Sequence, residues 1–488
     1  MSVIALLISG VFFTRILILR LGTERFGIWT WAVSLIEYLW MIDLGFRPAT
    51  VKMSAEYFAL GRLMELNRLI NTSLGYAVSV GGVMLTSIWF LADWIAHTLH
   101  IEDPSAPFLI RAVGFSWSAG LVFNVFSAVL EGMQRFDLSN RISIVTTLLR
   151  GGVSVWAVTQ GYGLREMGWA LVGSQSLGYL MMFVACRSVY PGLRIGPSLF
   201  HWETARSVWG YANQAIPGIL GARFAQASFP TVIALFKPTQ FVTFFSQTQR
   251  MMEYAADAVS RVGMVTAPRI SEWQALGKRQ EILELARTSN RYCLALWGLW
   301  GSFLMVYGHD LCRIWIDREF ADNVAPLIPY FVAGYTLFMG QFISSAVLMG
   351  LGKFRAYSLT SMAESVVCVG LMMVLLPPFG LVGAVAGIAA AIAVNRCFVL
   401  SYLFAQEFGI SQLSYLGDIF PKPLGLMIGA GALLALLHSL LPTVTLWTLV
   451  AALVGYAAVY GLGVYFVVVD GEQRAWIRDR ARTALRLG

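Results

Sequence analysis

Runs of about twenty apolar residues recur along this chain, about fourteen in all, and that length is what an α-helix needs to cross bilayer hydrocarbon. Lipid offers no partner to a backbone N–H or C=O, so a spanning segment must bond its own backbone as a helix or close into a barrel. None of the runs alternates polar and apolar residues as a barrel strand does. The chain has 488 residues, of which 57% are hydrophobic and 13% charged, where a soluble domain carries roughly a quarter charged residues. The fold class expected is therefore an all-α polytopic membrane protein.

The runs fall at 2–21, 26–46, 73–95, 108–130, 140–160, 166–186, 208–236, 239–260, 291–309, 325–349, 356–377, 380–405, 421–441 and 445–468. Met1 opens almost directly into the first, which is barely long enough to span, so the natural start is expected somewhat upstream. No basic segment and small-residue cleavage site mark a removable signal. The formal charge of +8 sits in the short loops, not in a stripe interleaved with aromatics, and nucleic acid is not an expected partner. Loops after even-numbered runs, with the tail, hold about 23 Lys and Arg; loops after odd-numbered runs hold about seven. The positive-inside rule then places both termini in the cytoplasm. Cys186, Cys293, Cys312, Cys368 and Cys397 are scattered without metal spacing and read as small core residues.

The chain repeats itself at an offset of about 216–218 residues. Ala59-Leu60-Gly61-Arg62 returns as Ala275-Leu276-Gly277-Lys278, Glu37-Tyr38 as Glu253-Tyr254, and Val129-Leu130-Glu131-Gly132 as Val347-Leu348-Met349-Gly350. Six runs separate the copies, an even number, so both cross the membrane in the same sense: a parallel repeat. The organisation expected is a six-helix bundle over 1–207, a second over 208–412, and an extra helix pair with a basic tail over 413–488. Two such bundles can enclose a cleft and rock to expose it alternately.

Charges inside the spans are the candidate functional groups, since each costs at least about 2.5–3.5 kcal/mol at mid-bilayer and such residues usually face a cavity or a partner. Arg15, Arg150, Arg223 and Arg250 are the candidates for binding an anionic substrate, because guanidinium matches phosphate in bidentate geometry and keeps its charge in a low dielectric. Glu37, Glu253, Asp257 and Glu364 are candidate coupling or cavity acids, Glu37 and Glu253 serving a shared packing need equally well. Gln247, Arg250, Tyr254, Asp257 and Arg261 are spaced to share one helical stripe, and an Arg250–Glu253 ion pair is within reach. Asp43 reads as a capping or snorkelling residue, and Arg396, near a cytoplasmic end, as snorkelling. Pro217 and Pro230 predict a kinked seventh span that can act as a hinge. No nucleotide loop, HExxH or GxSxG motif is present, so no cofactor, metal or catalytic residue is expected; coupling to H+ or Na+ stays open.

The turn motifs carry a family resemblance. Leu21-Gly22-Thr23-Glu24-Arg25-Phe26-Gly27-Ile28-Trp29, Asp43-Leu44-Gly45 with Ala55-Glu56, Leu130-Glu131-Gly132-Met133-Gln134-Arg135-Phe136 and Leu348-Met349-Gly350-Leu351-Gly352-Lys353 resemble those of the Wzx-like polysaccharide (O-antigen/exopolysaccharide) flippases. These belong to the superfamily that also holds the MATE drug exporters and the lipid II flippases. The resemblance covers roughly residues 15–410. It implies twelve or fourteen helices, alternating access, and export of an undecaprenyl-pyrophosphate-linked oligosaccharide across a bacterial inner membrane. It also implies a polysaccharide polymerase and chain-length proteins as partners of a protein that works as a monomer. Of the arginines, only Arg15 carries over by position. Three other readings stand beside it: a cation-coupled multidrug exporter, a membrane polymerase or glycosyltransferase, for which the outer loops are short, and a non-transporting scaffold.

The topology has a direct test. Alkaline phosphatase, active only outside the cytoplasm, is expected to be active when fused after Glu102 and inactive when fused after Arg135. Activity at the second junction would reverse the assignment.

Overall fold

The computed structural model describes residues 8–475 and 478, except 41–45, 100, 265–269, 271–272, 275, 441–443 and 472; within helices, the side chains at 8–9, 37, 39–40, 211–223, 262–264 and 354 lie outside the description. Among the described residues the chain is helical throughout, without a strand. In order, a π-helical turn Ile8–Phe13 leads into α1 (Thr14–Trp40), followed by α2 (Phe46–Ala59), α3 (Leu63–Thr98), α4 (Ala106–Gly132), α5 (Phe136–Thr159), α6 (Leu164–Val189), α7 (Trp202–Phe236) and α8 (Gln240–Met264). Next come α9 (Arg279–Trp315), α10 (Arg318–Val324), α11 (Ile328–Gly340), α12 (Phe342–Gly350), α13 (Phe354–Ala393), a π-helical stretch Val394–Leu400, α14 (Ser401–Phe408), α15 (Gln412–Ile419), α16 (Pro421–Ser439) and α17 (Leu446–Gly463).

Where the described residues cover them, the apolar runs fall on helix. Among the described residues, eight helical stretches are long and apolar enough to cross a membrane, and one of them, Arg355–Phe408, contains two of the runs. Charge keeps others below that threshold: α8 carries Arg250, Glu253 and Asp257 within one span length. The helices also outrun the apolar windows. Residues 47–59, expected as loop, are helical in α2, and α9 begins at Arg279, well before the run at 291–309. A polar stretch in water continues a helix as readily as it ends one, so hydropathy marks the hydrocarbon and not the helix end.

The chain forms two compact units, Met1–Thr243 and Phe244–Gly488. The repeat boundary expected at 207/208 and this packing boundary differ, because α7 packs against α1, α2 and α3 of the first unit. In the first unit α4 is the central helix. Its Trp117, Leu121, Val129 and Leu130 are buried with Leu66 and Ile70 of α3 and Cys186 of α6. The segment after α6 is pinned to α3: Asn67 donates to the Tyr190 hydroxyl at 2.8 Å and Asn71 to the Arg194 carbonyl at 2.7 Å. Burial pushes the Tyr190 phenol above its ordinary pKa, so it stays a neutral donor to the Leu63 carbonyl, 3.2 Å away. In the second unit α9 is central. Phe303 and Tyr307 of α9 are buried with Leu434 of α16 and Leu449, Tyr456 and Tyr460 of α17; Tyr460 lies against Gly298, where any Cβ would collide with it.

The repeat is visible in backbone geometry. Gly61 and Gly277 both adopt left-handed conformations, at φ 66° and 69°, and Gln134 (59°) is matched by Gly352 (75°). A Cβ on Gly132 would meet Ser54 at 2.7 Å, and one on Gly350 would meet Ile270 at 2.9 Å; Ser54 and Ile270 are themselves repeat counterparts. The same helix approach is thus built twice with different side chains.

Two turns are made by one glycine each. Gly22 (φ 83°) interrupts α1 between the first two runs, and Gly380 (φ 64°), after Pro377-Pro378, interrupts α13 between the eleventh and twelfth. Beyond Gly380 the chain folds back: a Cβ on Gly387 would lie 3.0 Å from Leu375 and 3.1 Å from Leu371. The tenth run, expected as one helix, breaks at Gln341 between α11 and α12.

Gln134 is the one described non-glycine residue with positive φ, a conformation costing an L-residue roughly 1–2 kcal/mol. Its repeat counterpart is glycine. Gln134→Gly is therefore expected to stabilise the first unit by about 1 kcal/mol, read as a raised unfolding midpoint in detergent. A lowered midpoint would show that the Gln134 side chain contributes more than the strain costs.

Candidate functional site within the spans

In the first unit the structure brings the helices of Arg15 and Arg150 together. Phe13, just before Arg15, lies directly on Gly151, just after Arg150, and a Cβ at that glycine would overlap the ring. Arg15 is exposed and Arg150 half-buried, the latter within electrostatic reach of Tyr179. Tyr179 is held by a 2.8 Å hydrogen bond to the Ser116 carbonyl and by stacking on Phe123. The side chains of Glu37, Arg223 and Pro217, and all of Asp43, lie outside the described residues. Pro230 is buried in α7, which is helical on both sides of it.

Arg47, one of the basic residues just after an even-numbered apolar run, has a structural role here. Arg47 Nη2 is 2.7 Å from Glu131 Oε1, and Ser127 and Ser139 donate to the same oxygen at 3.4 and 3.5 Å. Arg47, Thr50, Ser73, Tyr76 and Asn124 line a small cleft between α2, α3 and α4, with Phe46 stacked on Tyr76 at 3.7 Å. The spacing of Arg47 and Glu131 in sequence carried no signal of this pair.

In the second unit α8 has two faces. Phe244, Phe245 and Met251 are buried, with Phe245 against Phe331 of α11 and the Trp300 indole donating to the Met251 carbonyl at 3.1 Å. Arg250, Asp257 and Arg261 are exposed, as the predicted stripe requires, and Tyr254 is half-buried. Gln247, at the head of the stripe, is instead 2% exposed, with its carbonyl oxygen unpartnered. Glu253 accepts a 2.7 Å hydrogen bond from Gln249, a partner one helical turn away that the sequence reading passed over in favour of Arg250.

Arg396 corrects the expectation of snorkelling. Its side chain is 4% exposed. Nη2 donates to Glu364 Oε1 at 3.2 Å, Nη1 to Ser345 at 3.1 Å, and the guanidinium lies 4.7 Å over the Phe338 ring. Nε is 3.1 Å from Glu364 Oε2 but off the hydrogen-bond direction, and Asn395 donates to Oε2 instead. Asn395 and Arg396 sit in the π-helical stretch Val394–Leu400, whose wider winding turns both toward Glu364. Snorkelling needs a path to water, and Phe338 with Ser345 closes it. Glu364, one of the candidate acids of the sequence, is thus the counter-ion of a buried arginine.

The break at Gln341 is bonded with equal economy. The Ile343 N–H, freed by the break, donates to Asn290 Oδ1 at 2.8 Å, and Asn290 Nδ2 donates to Ser344 at 2.8 Å and to the Tyr415 hydroxyl at 3.1 Å. All four side chains, Asn290, Gln341, Ser344 and Tyr415, are fully buried. Ser344 adjoins Ser345, so this network runs into the Arg396–Glu364 pair.

Comparison with known proteins places this geometry. Residues 16–290, more than half of the chain, match the family described as "Polysaccharide biosynthesis protein". A Shigella flexneri protein named "Putative O-antigen transporter" is 20% identical over 373 residues, covering 75% of this chain and 86% of that one. Among solved structures, the lipid II flippase MurJ in an inward closed conformation is similar with a TM-score of 0.69 at 10% identity, over 95% of this chain and 97% of that one. An inward-facing multidrug resistance MATE transporter of the MOP superfamily is similar with a TM-score of 0.64 at 12% identity, over 84% and 95%. The fold is the one these two structures share.

The buried pair separates structure from transport. Removing one partner of such a pair strands a charge, at about 3–5 kcal/mol, whereas an apolar replacement of both is often neutral. Arg396→Leu is expected to lower the unfolding midpoint sharply and Arg396→Leu with Glu364→Leu to restore most of it. A double variant no more stable than the single would refute the pairing.

Proposed function

From its membership of the polysaccharide biosynthesis protein family, to which this multi-pass helical membrane chain belongs, we propose that the protein is a flippase. It moves an undecaprenyl-pyrophosphate-linked oligosaccharide across the bacterial inner membrane by alternating access, for surface polysaccharide synthesis. The family match over residues 16–290 is the observation that carries this reading. The named transport role of the Shigella flexneri relative supports it.

The residues agree with an anionic cargo. Arg15 and Arg150 stand beside the contact between their two helices, and the described part of α1 before Gly22 holds basic residues and no acid. Two guanidinium groups suit the pyrophosphate of a lipid carrier, each able to give two parallel hydrogen bonds. Arg250, exposed on α8, is a further cationic candidate, with Arg223 proposed on sequence alone. Coupling to H+ or Na+ is proposed through the exposed acid Asp257, since Glu364 is already neutralised by Arg396. The lipid-linked oligosaccharide is the primary partner; both termini lie in the cytoplasm.

Deleting the gene is expected to abolish surface polysaccharide while lipid-linked repeat units accumulate on the inner leaflet. Normal surface polysaccharide in the deletion, or a change confined to drug susceptibility, would overturn the reading. Arg15→Gln and Arg150→Gln are each expected to slow flipping of labelled lipid-linked sugar in vesicles by about 10–100-fold, the loss of a charge-assisted hydrogen bond, with Arg→Lys losing less. Full activity in both Gln variants would remove these residues from the site.

A further inference from the structure

The inner end of the second unit carries a cation-rich recess that the proposed transport pathway does not use. Two cavities, of 450 and 340 Å³, lie on either side of Glu407. The first is lined by Arg279, Leu283, Gln406 and Phe408, the second by Leu348, Lys353, Leu403 and Gln406. One carboxylate serves both: Arg279 Nη2 is 3.1 Å from Glu407 Oε1, and Lys353 Nζ is 3.2 Å from Oε2. Arg279 also donates to the Glu407 carbonyl oxygen at 2.6 Å, and its guanidinium lies 5.9 Å over the Phe408 ring. Lys278 and Arg355, next to these cations in sequence, are exposed. Glu281, in the first turn after Arg279, is exposed as well, so four cations stand against two acids, and Glu407 alone pairs with Arg279 and Lys353.

Two features define what this recess accepts. Arg279 and Lys353 are held apart by the span of one carboxylate, so they are already spaced to grip two oxygens of one anion. The walls beside them are apolar, from Leu283 and Phe408 on one side and Leu348 and Leu403 on the other. A free anion gains nothing from those walls; an amphiphile with an anionic head gains from both. The first copy is built differently: Arg135, the counterpart of Lys353, pairs with Asp137 in its own turn at 3.0 Å.

We propose that this recess binds the headgroup of an anionic phospholipid of the inner leaflet, its phosphate taking Arg279 and Lys353 in place of Glu407. The inner-leaflet assignment rests on the topology proposed above, in which loops after even-numbered spans face the cytoplasm. Glu407 is the resident anion that the phosphate displaces, so it weakens the site while keeping the two cations in position.

The test uses the full-length protein purified in a non-ionic detergent and titrated with phosphatidylglycerol, phosphatidylcholine or soluble diphosphate, with retained molecules counted by native mass spectrometry. The protein is expected to retain phosphatidylglycerol in preference to phosphatidylcholine. Arg279→Gln with Lys353→Gln is expected to lower that retention about tenfold or more, given roughly 1 kcal/mol per basic residue near an anionic surface. Glu407→Gln is expected to raise it, a change that misfolding cannot imitate. Equal retention of the two lipids, unchanged retention in the variants, or diphosphate that binds as well and competes would each overturn the proposal. The topology is judged separately. Gln280→Cys is expected to react with an impermeant thiol reagent in inside-out vesicles only; reaction in intact cells would overturn the topology and leave the detergent titration to decide the recess.

Discussion

In hydrocarbon a backbone N–H or C=O without a partner costs several kcal/mol, and this requirement shapes the chain more than any side-chain contact does. Among the described residues it makes the long apolar runs helical. It also explains how the breaks are arranged. At Gln341 the freed Ile343 N–H is taken up by Asn290, whose own amide is held by Ser344 and Tyr415. At Gly22 and Gly380 the turn is contracted to a single residue in a conformation that glycine adopts without a Cβ clash. The π-helical stretch Val394–Leu400 keeps its backbone bonded while rewinding to re-aim Asn395 and Arg396. A membrane helix can change direction or register only where another group accepts what the ladder gives up.

The two copies of the repeat share turns and helix approaches but differ in how their last two helices are joined. In the first copy, Gly178 of α6 packs on Thr146 of α5. At the corresponding level of the second copy, Asn395 and Arg396 meet Glu364. A small-residue contact relies on close approach and dispersion, and an ion pair on mutual neutralisation at a longer reach. Duplication therefore preserved the backbone and let the adhesive chemistry diverge. Charges inside the spans are not all of one kind: Arg396 belongs to the scaffold, while Arg15 and Arg250 are exposed and Arg150 is half-buried.

Much of this was legible in the sequence because it depends on length and spacing. Apolar run length located the helices among the described residues, and the Ala-Leu-Gly and Leu-x-Gly motifs marked turns that share left-handed geometry at Gly61 and Gly277, and at Gln134 and Gly352. The exposed face of α8 followed from the spacing of Arg250, Asp257 and Arg261. What was not legible depends on partners distant in sequence. Whether Arg396 snorkels or is buried is decided by Phe338, Ser345 and Glu364, none of them its neighbour along the chain. Arg47 looked like a topology charge until Glu131 was brought to it. The helix ends beyond the apolar runs, at 47–59 and 279–290, were missed because hydropathy reports the solvent, and a helix passes from lipid into water without a change in its own bonding.

The hairpin around Gly380 has a consequence for biogenesis. Glu364 and Arg396 are equally distant from Gly380 along the chain, one on each arm, so the fold-back that packs Gly387 on Leu371 and Leu375 also brings the two charges together. Their pairing needs no other part of the hairpin's surroundings except to seal it. Two arms that leave the insertion machinery together can thus present lipid with a neutralised pair instead of two separate ions. The connection they drag across, Pro377-Pro378-Phe379-Gly380, carries no charge, and its two prolines bring no backbone N–H to hydrate. Lys353 and Arg355, both exposed, stand at the base of the first arm.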